Sequence, residues 1–186
     1  MANWGSADFK QFQKLRDNLE KLQKLDMQRF CEECSRELAA RLLALVIPRT
    51  PVGKTLKEAD EKGKMRTVHM GGTLRRGWTA KTEEAAQQRG GGSPAAEYAQ
   101  SLPVAKSGGS YQITVINPVN YASYVEFGHR QTPGRYVPAI GKRLKQGWVS
   151  GQYMLTISER QLSNIAPALL EKKLQAFLTE VFNGGD

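Results

Sequence analysis

Met27-Gln28-Arg29-Phe30-Cys31-Glu32-Glu33-Cys34-Ser35-Arg36-Glu37-Leu38-Ala39-Ala40-Arg41-Leu42-Leu43-Ala44-Leu45-Val46-Ile47-Pro48 places Met27, Phe30, Cys31, Cys34, Leu38, Leu42, Leu45 and Val46 on one helical stripe. Asp26 is a suitable cap for this helix. Pro48 and Pro51 are expected to stop it near Ile47, because proline lacks an amide donor and disfavours helix at the residue before it. A shorter amphipathic helix is expected ahead of it, from about Asp8 to Lys24, on Phe9, Phe12, Leu15, Leu19, Leu22 and Leu25. At the other end Ser158-x-x-Gln161 fits a capping box. A last helix follows through Leu162, Ile165, Leu169, Leu170, Leu174, Phe177, Leu178 and Val181 to Gly184. Pro167 predicts either a kink in that helix or a fresh start capped by Asn164.

Between these helices the pattern changes. Leu74, Trp78 and Ala80 share one side of an extended chain, which predicts a strand beginning near Arg76, with a helical turn at Thr73–Arg75 as the alternative. Tyr111, Ile113 and Val115 alternate with Gln112, Thr114 and Ile116, a second strand that Asn117-Pro118 ends. The two strands are expected to pair as an antiparallel ribbon. Tyr121–Phe127 reads as a short helix terminated by Gly128, with Tyr121, Tyr124 and Val125 facing inward. Tyr153–Thr156 reads as a third strand. Three polar, Gly-rich or basic stretches, Gly53–Met70, Thr82–Gly109 and Gln131–Gly151, read as long loop arms that order against neighbours. The expected fold class is α+β: one domain over residues 1–186, with long N- and C-terminal helices packed on a small antiparallel sheet and with arms at about 53–70, 82–109 and 131–151.

The chain has 186 residues, 27 Lys and Arg against 18 Asp and Glu, and a net charge of +9. Such an excess fits nucleic acid, yet acids and bases interleave along Lys14–Lys24 and Lys54–Arg66, the pattern of a solvated face. Most basic residues are therefore expected at the surface or against protein partners, without a dedicated DNA-binding stripe. A basic nucleic-acid-binding accessory protein, carried by the excess charge and by Arg75-Arg76 beside Trp78, is the rival reading. Met1–Lys10 has no apolar core like that of a signal peptide, and no apolar run approaches a membrane span, so a protein cytosolic when made, with reduced thiols, is expected.

Catalytic chemistry finds little support. Cys31 and Cys34 have CxxC spacing, but both fall inside a helix on its apolar stripe, without the further ligands a zinc site needs. They are expected as buried core thiols. His69 and His129 lie apart, with no adjoining carboxylate or thiol in sequence. Gly53-Lys54-Thr55 lacks the first glycine of a phosphate loop, since Val46 stands there. Glu126, with Arg130 four residues on, is expected to form a structural ion pair or an interface contact. No catalytic, cofactor-binding or metal-ligating residue is assigned, and the chain is read as a non-enzyme.

Four segments in fixed order carry a resemblance: Arg49-Thr50-Pro51-Val52; Gly72-Thr73-Leu74-Arg75-Arg76-Gly77-Trp78; Val115-Ile116-Asn117; and Tyr121-Ala122-Ser123-Tyr124-Val125-Glu126-Phe127-Gly128-His129-Arg130. Together they resemble the phage tail-component family, also called neck, tail-completion or head–tail joining proteins. Gly147–Thr156 is similar to members from prophages and contractile phage-like particles. The resemblance implies a virion structural protein at the head-proximal end of the tail. It also implies self-assembly into a ring, commonly a hexamer, against a head-connector protein and a tail terminator, tube or sheath protein, with passage of DNA through the lumen and no membrane. It brings no catalytic residue and no cofactor. Leu74, Arg75, Trp78, Tyr121, Tyr124, Glu126, Gly128, His129 and Arg130 become fold-defining or interface residues, and Gly72 a turn former.

Overall fold

The computed structural model describes residues 10–21, 27–53, 55–59, 64–138 and 141–183. Helix α1 spans Lys10–Lys21 and α2 spans Met27–Arg49. The expected ends of the first helix, and the Asp26 cap, lie outside the described residues. Helix α2 continues two residues past its expected stop, with Pro48 inside the last turn. Only proline's own amide is missing there, and the turn closes through Thr50 N–H on the carbonyls of Val46 (3.0 Å) and Ile47 (3.2 Å). The cysteines are free thiols on this helix, Cys34 buried and Cys31 half-buried, and desolvation pushes the Cys34 thiol up.

Leu43 and Val46 are fully buried although only Val46 lies on the expected stripe, because α2 is wedged between two other helices. One is α7, Met154–Asn183, whose Phe177 ring stacks on Phe30 with centroids 4.7 Å apart. The other is α5, Ala95–Ser101, which brings Tyr98 and Ala99 into the core. Helices α3 (Thr73–Gly77), α4 (Glu83–Gln87) and α6 (Ala122–Phe127) close the remaining side. Leu74, Trp78, Ala80, Ala86, Val119 and Met154 complete the buried cluster.

Several expectations are corrected here. The strand near Arg76 is the helix α3. A spacing of four, as in Leu74 and Trp78, lies on one side of a strand and also on one face of a helix. Gly72 (φ 83°) and the Thr73 hydroxyl, donating to the Met70 carbonyl at 2.8 Å, start the helix. The stretch 82–109 is folded. Thr82 caps α4 by accepting the Ala85 amide, and Pro94 opens α5, where a missing amide is tolerated. Its last part makes a hairpin of β3 (Ala105–Ser107) and β4 (Ser110–Gln112). Gly108 and Gly109 (φ 53° and 84°) supply the two positive φ values that a two-residue turn matching strand twist requires. Strand β4 thus pairs with β3, with no strand at Arg76. The loop 53–70 holds another hairpin, β1 (Leu56–Ala59) with β2 (Met65–His69).

The class is α+β. In place of one small sheet, the described strands form four separate two-stranded antiparallel ribbons. Two of them run in series: β5 (Gly128–Arg130) pairs with β8 (Trp148–Ser150), and β6 (Tyr136–Val137) with β7 (Lys142–Arg143). Amide-to-carbonyl bonds from Gln131 to Gly147, from Gly134 to Leu144 and from Leu144 to Arg135 join them into one long hairpin. The segment expected as an irregular arm is therefore a β-hairpin. Tyr153–Thr156, expected as a strand, opens α7. Ser158, expected as its cap, is buried inside it, with its hydroxyl donating to the Met154 carbonyl. The helix runs unbroken through Pro167, with no restart at Asn164.

Candidate assembly interface

The motif residues fall into two groups. The first is a hydrogen-bonded knot at the C-terminus of α2. Trp78, 3% exposed, donates its indole N–H to Thr50 Oγ1 at 2.7 Å, and the Thr50 hydroxyl donates to the Val46 carbonyl at 2.8 Å. Arg75 reaches across and donates to the Thr50 carbonyl from Nε (3.1 Å) and Nη2 (2.7 Å), with Nη2 also 3.3 Å from the Pro48 carbonyl. A cation thus sits on carbonyls that the end of a helix leaves without partners. Arg76 is spent similarly on the carbonyls of Ala86 and Gly71. Arg49 ties the same helix end to α7 through Ser158 Oγ and Gln161. Leu74 is buried beneath this knot. Arg75-Arg76 beside Trp78, the feature that carried the nucleic-acid reading, is therefore internal wiring.

The second group forms an elbow where α6, the root of the long hairpin and the start of α7 meet. Glu126, 5% exposed, accepts the backbone amides of Leu155 and Thr156 at 2.9 Å each, and the Thr156 hydroxyl at 2.8 Å. The carboxylate thus caps a helix 29 residues further along, satisfying first-turn amides and opposing the positive end of the helix dipole. The expected Glu126–Arg130 pair does not form; Arg130 is exposed on β5. The chain reaches α7 through Tyr153 in a left-handed conformation (φ 49°), its amide bonded to the Glu126 carbonyl. Gly128 (φ 87°) is required twice over, since a Cβ there would collide with the Val149 carbonyl of the opposing strand.

Tyr121 is half-buried, its hydroxyl pushed up by desolvation and then by Glu83. Tyr124 does not face inward as expected: it is 59% exposed, as is Phe127 one turn on. Trp148 on β8, Tyr153 just before α7 and Ile157 in its first turn are also about half exposed, so each element meeting at the elbow carries uncovered apolar surface. His129, half-buried under the Tyr124 ring at 5.8 Å, approaches Gln131 Nε2 through Nε2, while its buried Nδ1 has no partner among the described residues. Sequence does not pick out Phe127, and it marks Trp148 and Tyr153 only as part of the Gly147–Thr156 resemblance and, for Tyr153, of an expected strand. Phe127 stands at a position the motif leaves open, and a patch assembled from three elements has no linear signature.

Among the described residues no group of three His, Cys, Asp or Glu could hold a metal ion. No described helix is long and apolar enough to cross a membrane. The cleft of about 340 Å³ beside the knot is bordered by Pro51, Val52, Leu74, Tyr121 and Val125 and presents no carboxylate or imidazole.

A family model described as "Bacteriophage HK97-gp10, putative tail-component" matches residues 13–128, more than half of the chain. The chain belongs to that family. It is a structural tail component of a phage, placed in the virion against other tail or head proteins. No curated protein and no solved structure matches it. The match to the tail-component family takes in both the knot and α6 and ends at Gly128, the hinge glycine of the elbow.

Proposed function

We propose that this tail component is a ring subunit of the head–tail junction, a neck or tail-completion protein that joins the head connector to the tail tube, terminator or sheath and catalyses nothing. The single observation that carries the reading is the elbow. Tyr124, Phe127, Trp148, Tyr153 and Ile157 expose apolar surface on a scaffold fixed by a buried carboxylate cap. Large apolar side chains exposed on elements that meet at one joint mark protein contacts, and tyrosine and tryptophan dominate the energetics of such contacts. A ring closes when this surface meets a different, complementary surface on the next copy, the head-to-tail geometry of cyclic assemblies. Six copies, each burying about 800 Å² per partner, make a stable collar. The 186 residues act as one domain, with the β1–β2 hairpin as a part that reaches neighbours.

The test is morphological. Tyr124→Ser with Phe127→Ser leaves the buried scaffold intact, so the variant folds and accumulates. In negative-stain images of lysates it gives separated heads and tails, where the wild type gives joined particles. Normal joined particles carrying the double variant contradict the proposal.

A further inference from the structure

From Phe127 to Ser158 the sequence contains no Asp or Glu, while Arg130, Arg135, Lys142, Arg143 and Lys145 all fall on the hairpin formed by residues 128–150. Most of its outer half is exposed, and among the described residues none of these five cations has an ion-pair partner. The contrast with the helices is sharp: Arg29, Arg36 and Arg41 each hold a glutamate of α2, and Lys173 holds Glu37. Register adds a second feature. Tyr136 stands directly opposite Arg143, and Trp148 opposite Arg130, so each arginine shares a face of the ribbon with an exposed aromatic ring. A two-stranded ribbon alone is marginal in water and gains by lying on a partner.

We infer that this hairpin, unlike the interleaved charges that led the basic residues to be expected at protein contacts, lies on double-stranded DNA, its arginines and lysines on the phosphates. A second copy of the chain is a weaker match. The α2 carboxylates already hold cations, Glu126 is buried as a helix cap and Glu83 accepts the Asn120 amide, while the exposed acids Glu84, Glu97, Glu159 and Glu171 are scattered over α4, α5 and α7. DNA presents an unbroken line of uncompensated negative charge, and its major groove admits a two-stranded ribbon. With strands rising about 3.3 Å per residue, the hairpin reaches up to roughly 30 Å, enough to span several phosphates. The inference does not depend on ring closure.

The experiment is fluorescence anisotropy of the full chain with a labelled duplex of mixed sequence, titrated between roughly 50 and 200 mM KCl. Five engaged cations give a slope of log affinity against log salt near about −4.5, so affinity falls roughly 500-fold over that range. The variant Arg135→Gln, Lys142→Gln, Arg143→Gln, Lys145→Gln keeps one hairpin cation, and its affinity falls only about 3-fold. A control carrying Lys81→Gln, Arg89→Gln, Arg160→Gln and Lys172→Gln has the same net charge and keeps the wild-type slope. Circular dichroism melts of the wild type and the control coincide, and the hairpin variant melts only slightly lower, since the substituted side chains are exposed and only Arg143, which donates to the Gly134 carbonyl, is held by the hairpin itself. Absence of salt-dependent binding overturns the inference, as does an equal loss of slope in the two variants, which marks diffuse charge. A hairpin variant that binds DNA normally but sediments differently from wild type also overturns it and assigns the arm to a protein contact. None of these results bears on whether heads and tails join.

Discussion

Thr50 takes an indole N–H on its hydroxyl and a guanidinium on its carbonyl, and gives its own proton to Val46. Removing the indole donor while keeping an aromatic ring, as in Trp78→Phe, leaves the Thr50 hydroxyl short of a donor. It is expected to cost about 1–3 kcal/mol of unfolding free energy in urea. Thr50→Val, which removes the hydroxyl at nearly constant volume, costs a similar amount, and the double variant costs less than the sum because both touch one bond. Glu126 gives a second residue-level prediction. Glu126→Ala strands two amides at the head of α7 and is expected to cost about 2 kcal/mol, whereas Glu126→Gln, which still accepts, costs less. The sequence made Trp78 and Glu126 conspicuous but did not disclose their partners. Arg130, four residues on, was the visible candidate for Glu126; the actual partners belong to a helix that begins 28 residues later.

Helix α7 carries Pro167 in its interior without ending, so one intrahelical bond is missing on its exposed side. Pro167→Ala is expected to stabilise the protein by about 1–3 kcal/mol, read as a higher melting temperature. A lower one would mean that the rigid proline is needed at that position for α7 to follow α2. The α2–α7 contact also has a pH signature. The hydrogen bond from Lys173 holds the Glu37 carboxyl below its ordinary value, with Arg41 adding to the effect against the opposing pull of burial. A carboxyl whose folded value is depressed contributes stability above the unfolded value, and that contribution fades as pH falls through the carboxylate range. Lys173→Met is therefore expected to flatten the acid side of the stability profile, read from urea midpoints between about pH 6 and pH 3. The long helices were legible because periodicity persists over many turns, and the α6 helix because Gly128 marks its end. The short elements were not. Five-residue helices such as α3 and α4 are too brief for any period to show, and Gly90-Gly91-Gly92 drew attention away from the Thr82 cap and the Pro94 start on either side of it.

Assembly depends on what the whole molecule leaves uncovered. A core built from α2, α3, α5 and α7 fixes the elbow, and the elbow presents Tyr124, Phe127, Trp148 and Tyr153 to solvent, where they favour contact with another protein surface. The same elbow roots the basic hairpin, so the proposed ring contact and the proposed DNA contact share one joint. Little of this was readable from residues alone. Exposure of Tyr124 follows from the short α6 turning its Glu126 side inward, and the separation of hairpin cations from helical ion pairs appears only once register is known. Cryo-electron microscopy of purified particles measures the outcome directly. The account predicts this chain as a closed ring at the head-proximal end of the tail, with Tyr124 and Phe127 covered by a neighbouring chain. Its absence from the particle, or an elbow still facing solvent in a bound but unringed copy, would contradict it.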